Sequence, residues 1–149
     1  MPLDVHSEIE INRTRDEVAA FAGDPDNATT WYQNIKAVDW ETPRPIGVGS
    51  RVRFVAEFLG RRLSYTYEVT VLDPGERLVM STSEGPFPME TTYTWADTET
   101  GGARMTLRNR GEPAGFSRIA APIVARAVRR ANRKDLQCLK AILEARSDA

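Results

Sequence analysis

One histidine and one cysteine in 149 residues leave little room for several kinds of chemistry. No HExxH or CxxC spacing surrounds His6 or Cys138, so neither a metal nor another cofactor is expected. The same scarcity removes a Ser-His-Asp or Cys-His nucleophile system. A lone cysteine cannot close an internal disulfide, which suits a reducing compartment. Net charge is only −1, so bulk charge gives nucleic acid or an anionic membrane little hold. No apolar run approaches the ~18 residues that span a bilayer. Met1-Pro2-Leu3-Asp4-Val5-His6 lacks the basic and apolar regions of a signal peptide. A cytoplasmic protein with no membrane span and no nucleic-acid partner is expected. Repeats, low-complexity tracts and linkers are missing as well, and 149 residues suit one domain, here expected over residues 1–149.

What is present is an ordered series of strand and helix signals. Val5 to Ile11 alternates apolar and polar residues, as a half-buried strand does. Thr14-Arg15-Asp16-Glu17 has the form of a capping box and opens a helix that stops at Gly23. Asp24-Pro25 restarts a short helix that ends near Trp31-Tyr32. Six strands are predicted next, over Ile35–Glu41, Ser50–Phe58, Arg62–Leu72, Arg77–Glu84, Met89–Trp95 and Ala103–Gly111. Gly47-Val48-Gly49 precedes a strand and lacks the remainder of a phosphate loop, so it reads as a turn. Asp73-Pro74-Gly75 and Thr100-Gly101-Gly102 are further turns. Connections this short favour antiparallel neighbours. The layout is α+β.

The last third reads as one long amphipathic helix, roughly Phe116 to Arg146. At 3.6 residues per turn, Phe116, Ala120, Ile123, Val124, Ala127, Val128, Ala131, Cys138, Leu139 and Ile142 share one face. Its central line is small: Ala120, Ala127, Ala131 and Cys138. A sheet curved around such a helix leaves unfilled volume, and a cavity lined by aromatic strands suits an apolar ligand. Pro122 removes a ladder bond and predicts either a bend or a helix start there. Arg126, Arg129, Arg130 and Arg133 fall on the opposite face and read as a solvated surface.

Several short motifs recur in a telling order. Asp24-Pro25 is followed by Trp31, then Ile35 and Val38. Val48-Gly49-Ser50 precedes a strand, and Tyr67-x-Val69 stands ahead of Leu72-Asp73-Pro74. Arg104-Met105-Thr106 follows the double glycine, and the chain ends with Leu136-x-x-Leu139-Lys140-x-x-x-Glu144. Together they resemble the START-like (SRPBCC) superfamily, and within it the polyketide cyclase/dehydrase and lipid-transport family. The resemblance covers nearly the whole chain. It implies a helix-grip fold: a seven-stranded antiparallel sheet around a long C-terminal helix, with two short helices after the first strand and a cavity between sheet and helix. It further implies a small hydrophobic or amphipathic ligand, such as a lipid, polyketide, quinone or phenolic compound. Family cyclases promote aldol closure and dehydration with pocket arginine, tyrosine and asparagine groups, so a cyclase is the alternative, and a protein-interaction module is a third reading. A homodimer is compatible with all of these.

Candidate site residues follow from strand parity. Phe54, Phe58, Tyr65, Tyr67, Met80, Tyr93, Trp95 and Asn109 point to the inner side, with Ile123 and Ala127 facing them from the helix. The aromatic residues are either ordinary core or cavity wall. Buried phenols at Tyr65 and Tyr67 need hydrogen-bond partners that a ligand or water can provide. Asn109 either orients a ligand or bonds to a nearby loop. Asp135 is the one carboxylate on the apolar stripe. It is either half of a structural ion pair, with Lys134, Arg61 or Arg62, or a general acid or base at the cavity wall. Tyr65, Tyr67, Asn109 and Asp135 are therefore the catalytic candidates. No arginine has clear inward parity. His6 has outward parity and reads as a surface residue.

Overall fold

A computed structural model describes residues 3–58, 60–84, 88–111 and 121–146, without the side chains of Phe58 and Ala121. The period-2 segments form seven strands: β1 (Leu3–Ile11), β2 (Ile35–Trp40), β3 (Arg51–Phe58), β4 (Arg61–Asp73), β5 (Arg77–Glu84), β6 (Met89–Asp97) and β7 (Ala103–Gly111). They make one sheet in the order β1-β7-β6-β5-β4-β3-β2, with every neighbouring pair antiparallel. Helix α1 (Arg15–Ala22) and helix α2 (Ala28–Trp31), joined by a 3₁₀ turn at Pro25–Asn27, follow β1. They carry the chain from one sheet edge to the other. Helix α3 (Ala121–Glu144) closes the fold. This is the helix-grip architecture. Among the described residues no helix is long and apolar enough to cross a membrane.

Local chemistry explains the element ends. Thr14 Oγ1 accepts the Glu17 backbone N–H at 3.3 Å and donates to Glu17 Oε1 at 3.2 Å. That fastens the first turn of α1. Asp24 Oδ1 accepts the Asp26 N–H at 3.0 Å and caps the 3₁₀ turn. Gly75 and Gly101 adopt positive φ at the tips of two hairpins, where a side chain would be strained.

In β4 the simple alternation fails at one place. It puts Val71 on the same face as Leu63 and Val69. The pairing with β5 shifts register between Val69 and Val71, so Leu72, opposite Leu78, joins the core in place of Val71. An extra residue in one strand reverses the facing of everything beyond it.

Three contacts tie the C-terminal end of α3 to the start of the chain. Glu144 Oε2 accepts the Asn12 N–H at 2.8 Å, Arg13 Nε donates to the Leu143 carbonyl at 2.9 Å, and Lys140 Nζ donates to the Glu10 carbonyl at 2.7 Å. Leu136, Leu139 and Leu143 fill the core here with Trp31, Met105 and Leu107. Each fully buried leucine contributes about 1.5–3 kcal/mol by leaving water.

The buried face of α3 differs from the one the apolar count predicts. Val124, Asn132, Asp135, Leu136, Leu139 and Leu143 are buried, while Ile123 is 59% exposed and Ala127 half-buried. At 100° per residue, the true centre lies about a quarter-turn from the line Ala120-Ala127-Ala131-Cys138. Two polar residues on the buried face drew the apolar count away from it. Phe116 and Ala120 lie outside the described residues, and Pro122 sits in the first turn of α3.

Candidate functional site

Where α3 passes the middle of the sheet its inward side chains are short. Ala131 ends at Cβ, and Val124 and Val128 reach little further. They fill only part of the space before the strands opposite, and a cavity of about 170 Å³ remains. Strand alternation supplies its other walls: Phe54 from β3, Leu63, Tyr65 and Tyr67 from β4, Met80 from β5, Met89, Thr91 and Tyr93 from β6, and Asn109 from β7. Tyr32 and Asn34, in the segment after α2, close one side, and Asn132 and Asp135 enter from α3.

The cavity has two ends of different character. Leu63, Val124, Val128, Met89 and the body of Tyr65 form an apolar cluster at one. Asn132 and Asp135 lie further along α3, with Asp135 about 16 Å along the axis from Val124 at 1.5 Å per residue. The phenols of Tyr32 and Tyr93 meet there, with their oxygens 2.5 Å apart. Between the ends, Thr91 and Asn109 face each other across β6 and β7, and the Thr91 hydroxyl donates to Asn109 Oδ1 at 2.8 Å. Tyr67 Oη lies 3.4 Å from the same hydroxyl oxygen. Asn109 is thus held by its cross-strand neighbour, not by a loop.

Asp135 is 2% exposed. Its Oδ1 accepts the Gln33 backbone N–H at 3.0 Å, and it forms no ion pair among the described residues. The pairing with Lys134, Arg61 or Arg62 is therefore absent: Lys134 points to solvent, and Arg62 approaches Glu57 at 3.8 Å. Burial pushes the Asp135 carboxyl up to about 6, against the smaller opposing effect of the Gln33 N–H. Burial also raises the phenols of Tyr32, Tyr65, Tyr67 and Tyr93 above their usual value. The charge of Asp135 adds to the rise at Tyr32 and Tyr93, which places all three groups in one electrostatic neighbourhood. These phenols stay protonated near neutral pH, so they act as hydrogen-bonding groups and not as bases.

Of the residues singled out by parity, Phe54, Tyr65, Tyr67, Met80, Tyr93 and Asn109 lie on this cavity with Asp135. Trp95 is on the same sheet face but beyond the cavity. It packs edge-on to Tyr93, with ring centroids 6.0 Å apart, and its ring comes close to Gly23 after α1. Ile123 points to solvent, Ala127 is outside the lining, and the Phe58 side chain falls outside the described residues. Sequence reasoning missed Tyr32, Thr91 and Asn132. Asn132 carried a signal, because it stands four residues after Val128 and three before Asp135. Tyr32 carried none, since it ends a short helix and meets a partner 61 residues away.

The model of the family described as polyketide cyclase/dehydrase and lipid transport matches residues 2–144. Among solved structures, the fold is similar to a START superfamily protein from Mycobacterium smegmatis, at TM-score 0.80 and 14% identity over 95% of this chain and 97% of that one. It is similar to the protein TTHA0849 from Thermus thermophilus, at TM-score 0.79 and 22% identity over 97% and 99%. It also resembles the Zhui aromatase/cyclase from Streptomyces sp. R1128, at TM-score 0.77 and 16% identity over 97% and 94%. At these identities the likeness is one of fold. Comparison with curated proteins gives no significant match.

Proposed function

The chain belongs to the polyketide cyclase/dehydrase and lipid transport family, and from that premise we propose that it binds one small hydrophobic or amphipathic molecule between the sheet and α3. The observation that carries this reading is the cavity itself, walled by aromatic and aliphatic side chains with a few polar groups among them. Its 170 Å³ sets the scale. An apolar cavity of about 150 Å³ accepts a benzene ring. A ring-sized compound such as a quinone or a phenolic fits this volume, whereas a long lipid or an extended polyketide requires the walls to open.

A second reading, an acid–base enzyme of the cyclase or dehydratase kind, draws support from Asp135. A buried carboxyl at about 6 on a cavity wall can exchange a proton near neutrality. A cyclase must also stabilise enolate charge with a cation or paired donors. No lysine, arginine or histidine stands among the described lining residues, so binding without turnover is the preferred reading.

The test uses indole as a ring-sized probe and titration calorimetry. Wild-type protein is expected to bind with a Kd on the order of 100 µM, about −5.5 kcal/mol. Ala131→Trp fills the cavity and should abolish binding, whereas Ala127→Trp, outside the lining, should leave it intact. Unchanged binding in a folded Ala131→Trp protein would place the ligand elsewhere. Catalysed cyclisation of a poly-ketone mimic, lost in Asp135→Asn, would favour the enzyme.

A further inference from the structure

We propose that the polar end of the cavity selects a protonated amine carried on a ring-sized apolar body, with Asp135 as its counter-ion. The inference rests on the cavity being the ligand site and adds the chemical class of its occupant.

Three observations lead to it. The first is charge balance: Asp135 is the single formally charged group among the described lining residues, and no cation faces it. A buried carboxylate without a counter-ion is an unfavourable arrangement that a cationic ligand relieves. The second is hydrogen bonding. Asp135 Oδ1 takes the Gln33 N–H, and no described group donates to Oδ2. One turn earlier, Asn132 is 5% exposed, lines the same cavity, and has an amide whose Nδ2 is sealed from water without a partner. No hydrogen bond to its Oδ1 occurs among the described residues. Buried polar groups are rarely left this way. An ammonium has three N–H donors and no acceptor. It can give one to Asp135 Oδ2 and one to Asn132 Oδ1, while Asn132 Nδ2, itself a donor, takes no part in holding it. The third is the aromatic surround. Tyr32 and Tyr93 stand within the electrostatic reach of Asp135, and Tyr67 lines the same cavity. Aromatic faces attract cations. The aromatic and aliphatic lining next to this end, Phe54, Met80 and Ala131, then holds the ring.

The same features work against other head groups. A carboxylate ligand would meet Asp135 with like charge and no cation to receive it. A neutral alcohol can donate one hydrogen bond but leaves the carboxylate charge uncompensated.

The experiment compares three probes of one size that differ in charge: 2-phenylethylamine, 2-phenylethanol and phenylacetate, titrated near pH 7.5. The amine should bind at least about tenfold tighter than the alcohol, and phenylacetate weakest of all. In Asp135→Asn the amine should lose about tenfold or more in affinity, while the alcohol changes little. Alcohol or acid binding as tightly as the amine overturns the proposal and leaves the cavity reading standing. So does an amine preference that survives Asp135→Asn. If none of the three probes and not even indole binds, the cavity reading fails and this one with it.

Discussion

Replacing Asp135 by asparagine is expected to make the protein more stable, and only at neutral and alkaline pH. The carboxyl has an ordinary value of 3.8 and is pushed to about 6 by burial in the fold. A group whose folded-state value is raised is easier to keep protonated when folded. Its favourable state is therefore fully present below about pH 4 and is lost as pH rises through about 6. Above that, the folded state carries a buried charge that the unfolded chain holds in water. The gap of about two pH units, at 1.36 kcal/mol each, corresponds to about 3 kcal/mol. Asparagine has nearly the same shape, and its Oδ1 can still accept the Gln33 N–H, though as a neutral hydrogen bond it is weaker than the charged one. The expected net gain is therefore about 1–3 kcal/mol near pH 8 and close to zero near pH 4. The assay is a urea melt of wild type and Asp135→Asn at several pH values, read by circular dichroism. Wild-type stability should decline from pH 4.5 to 7.5 relative to the mutant. A mutant less stable than wild type at pH 8 would mean that Asp135 is stabilised by a cation. A difference that does not vary with pH would mean that the carboxyl has no raised value.

Two further outcomes follow from packing and capping. Leu139 is fully buried on α3 among core residues, so Leu139→Ala should cost about 2–5 kcal/mol in a urea melt; a loss below 1 kcal/mol would show that the helix does not grip the sheet as described. Thr14→Ala removes the acceptor of the Glu17 N–H and should cost about 1 kcal/mol, with Thr14→Ser restoring most of it.

The alternation of Val5 to Ile11 and of the later strands is a local property, because side chains on an extended chain switch sides at each residue. It reveals the strands and their inner faces without reference to anything distant. The Thr14 cap, the Asp24 cap and the hairpin glycines are equally local, since donor and acceptor lie within a few residues. Phe54, Tyr65, Tyr67, Tyr93 and Asn109 could be placed on one surface for the same reason. Beyond Val69 the reasoning broke down, because the register shift in β4 depends on how that strand pairs with β5.

The long helix shows the boundary most clearly. Its amphipathic period is written in the chain, but its exact orientation is not. Counting apolar residues turned its buried face toward Ile123 and Ala127, with Asp135 at the edge of the stripe, when the structure centres that face near Leu139 and buries Asn132 as well. The cavity wall is where this helix keeps polar residues inside against the general rule, so hydrophobicity misleads most at that spot. By itself, then, the sequence determined the order of strands and helices, the aromatic inner face and the small residues that leave room beside α3. Only the tertiary structure decided that Tyr32 meets Tyr93, that Asp135 bonds to Gln33 and not to a cation, and that Asn132 is buried beside it. The first two are encounters between segments some 60 to 100 residues apart, and a pattern that repeats every two or 3.6 residues carries no information about distant partners.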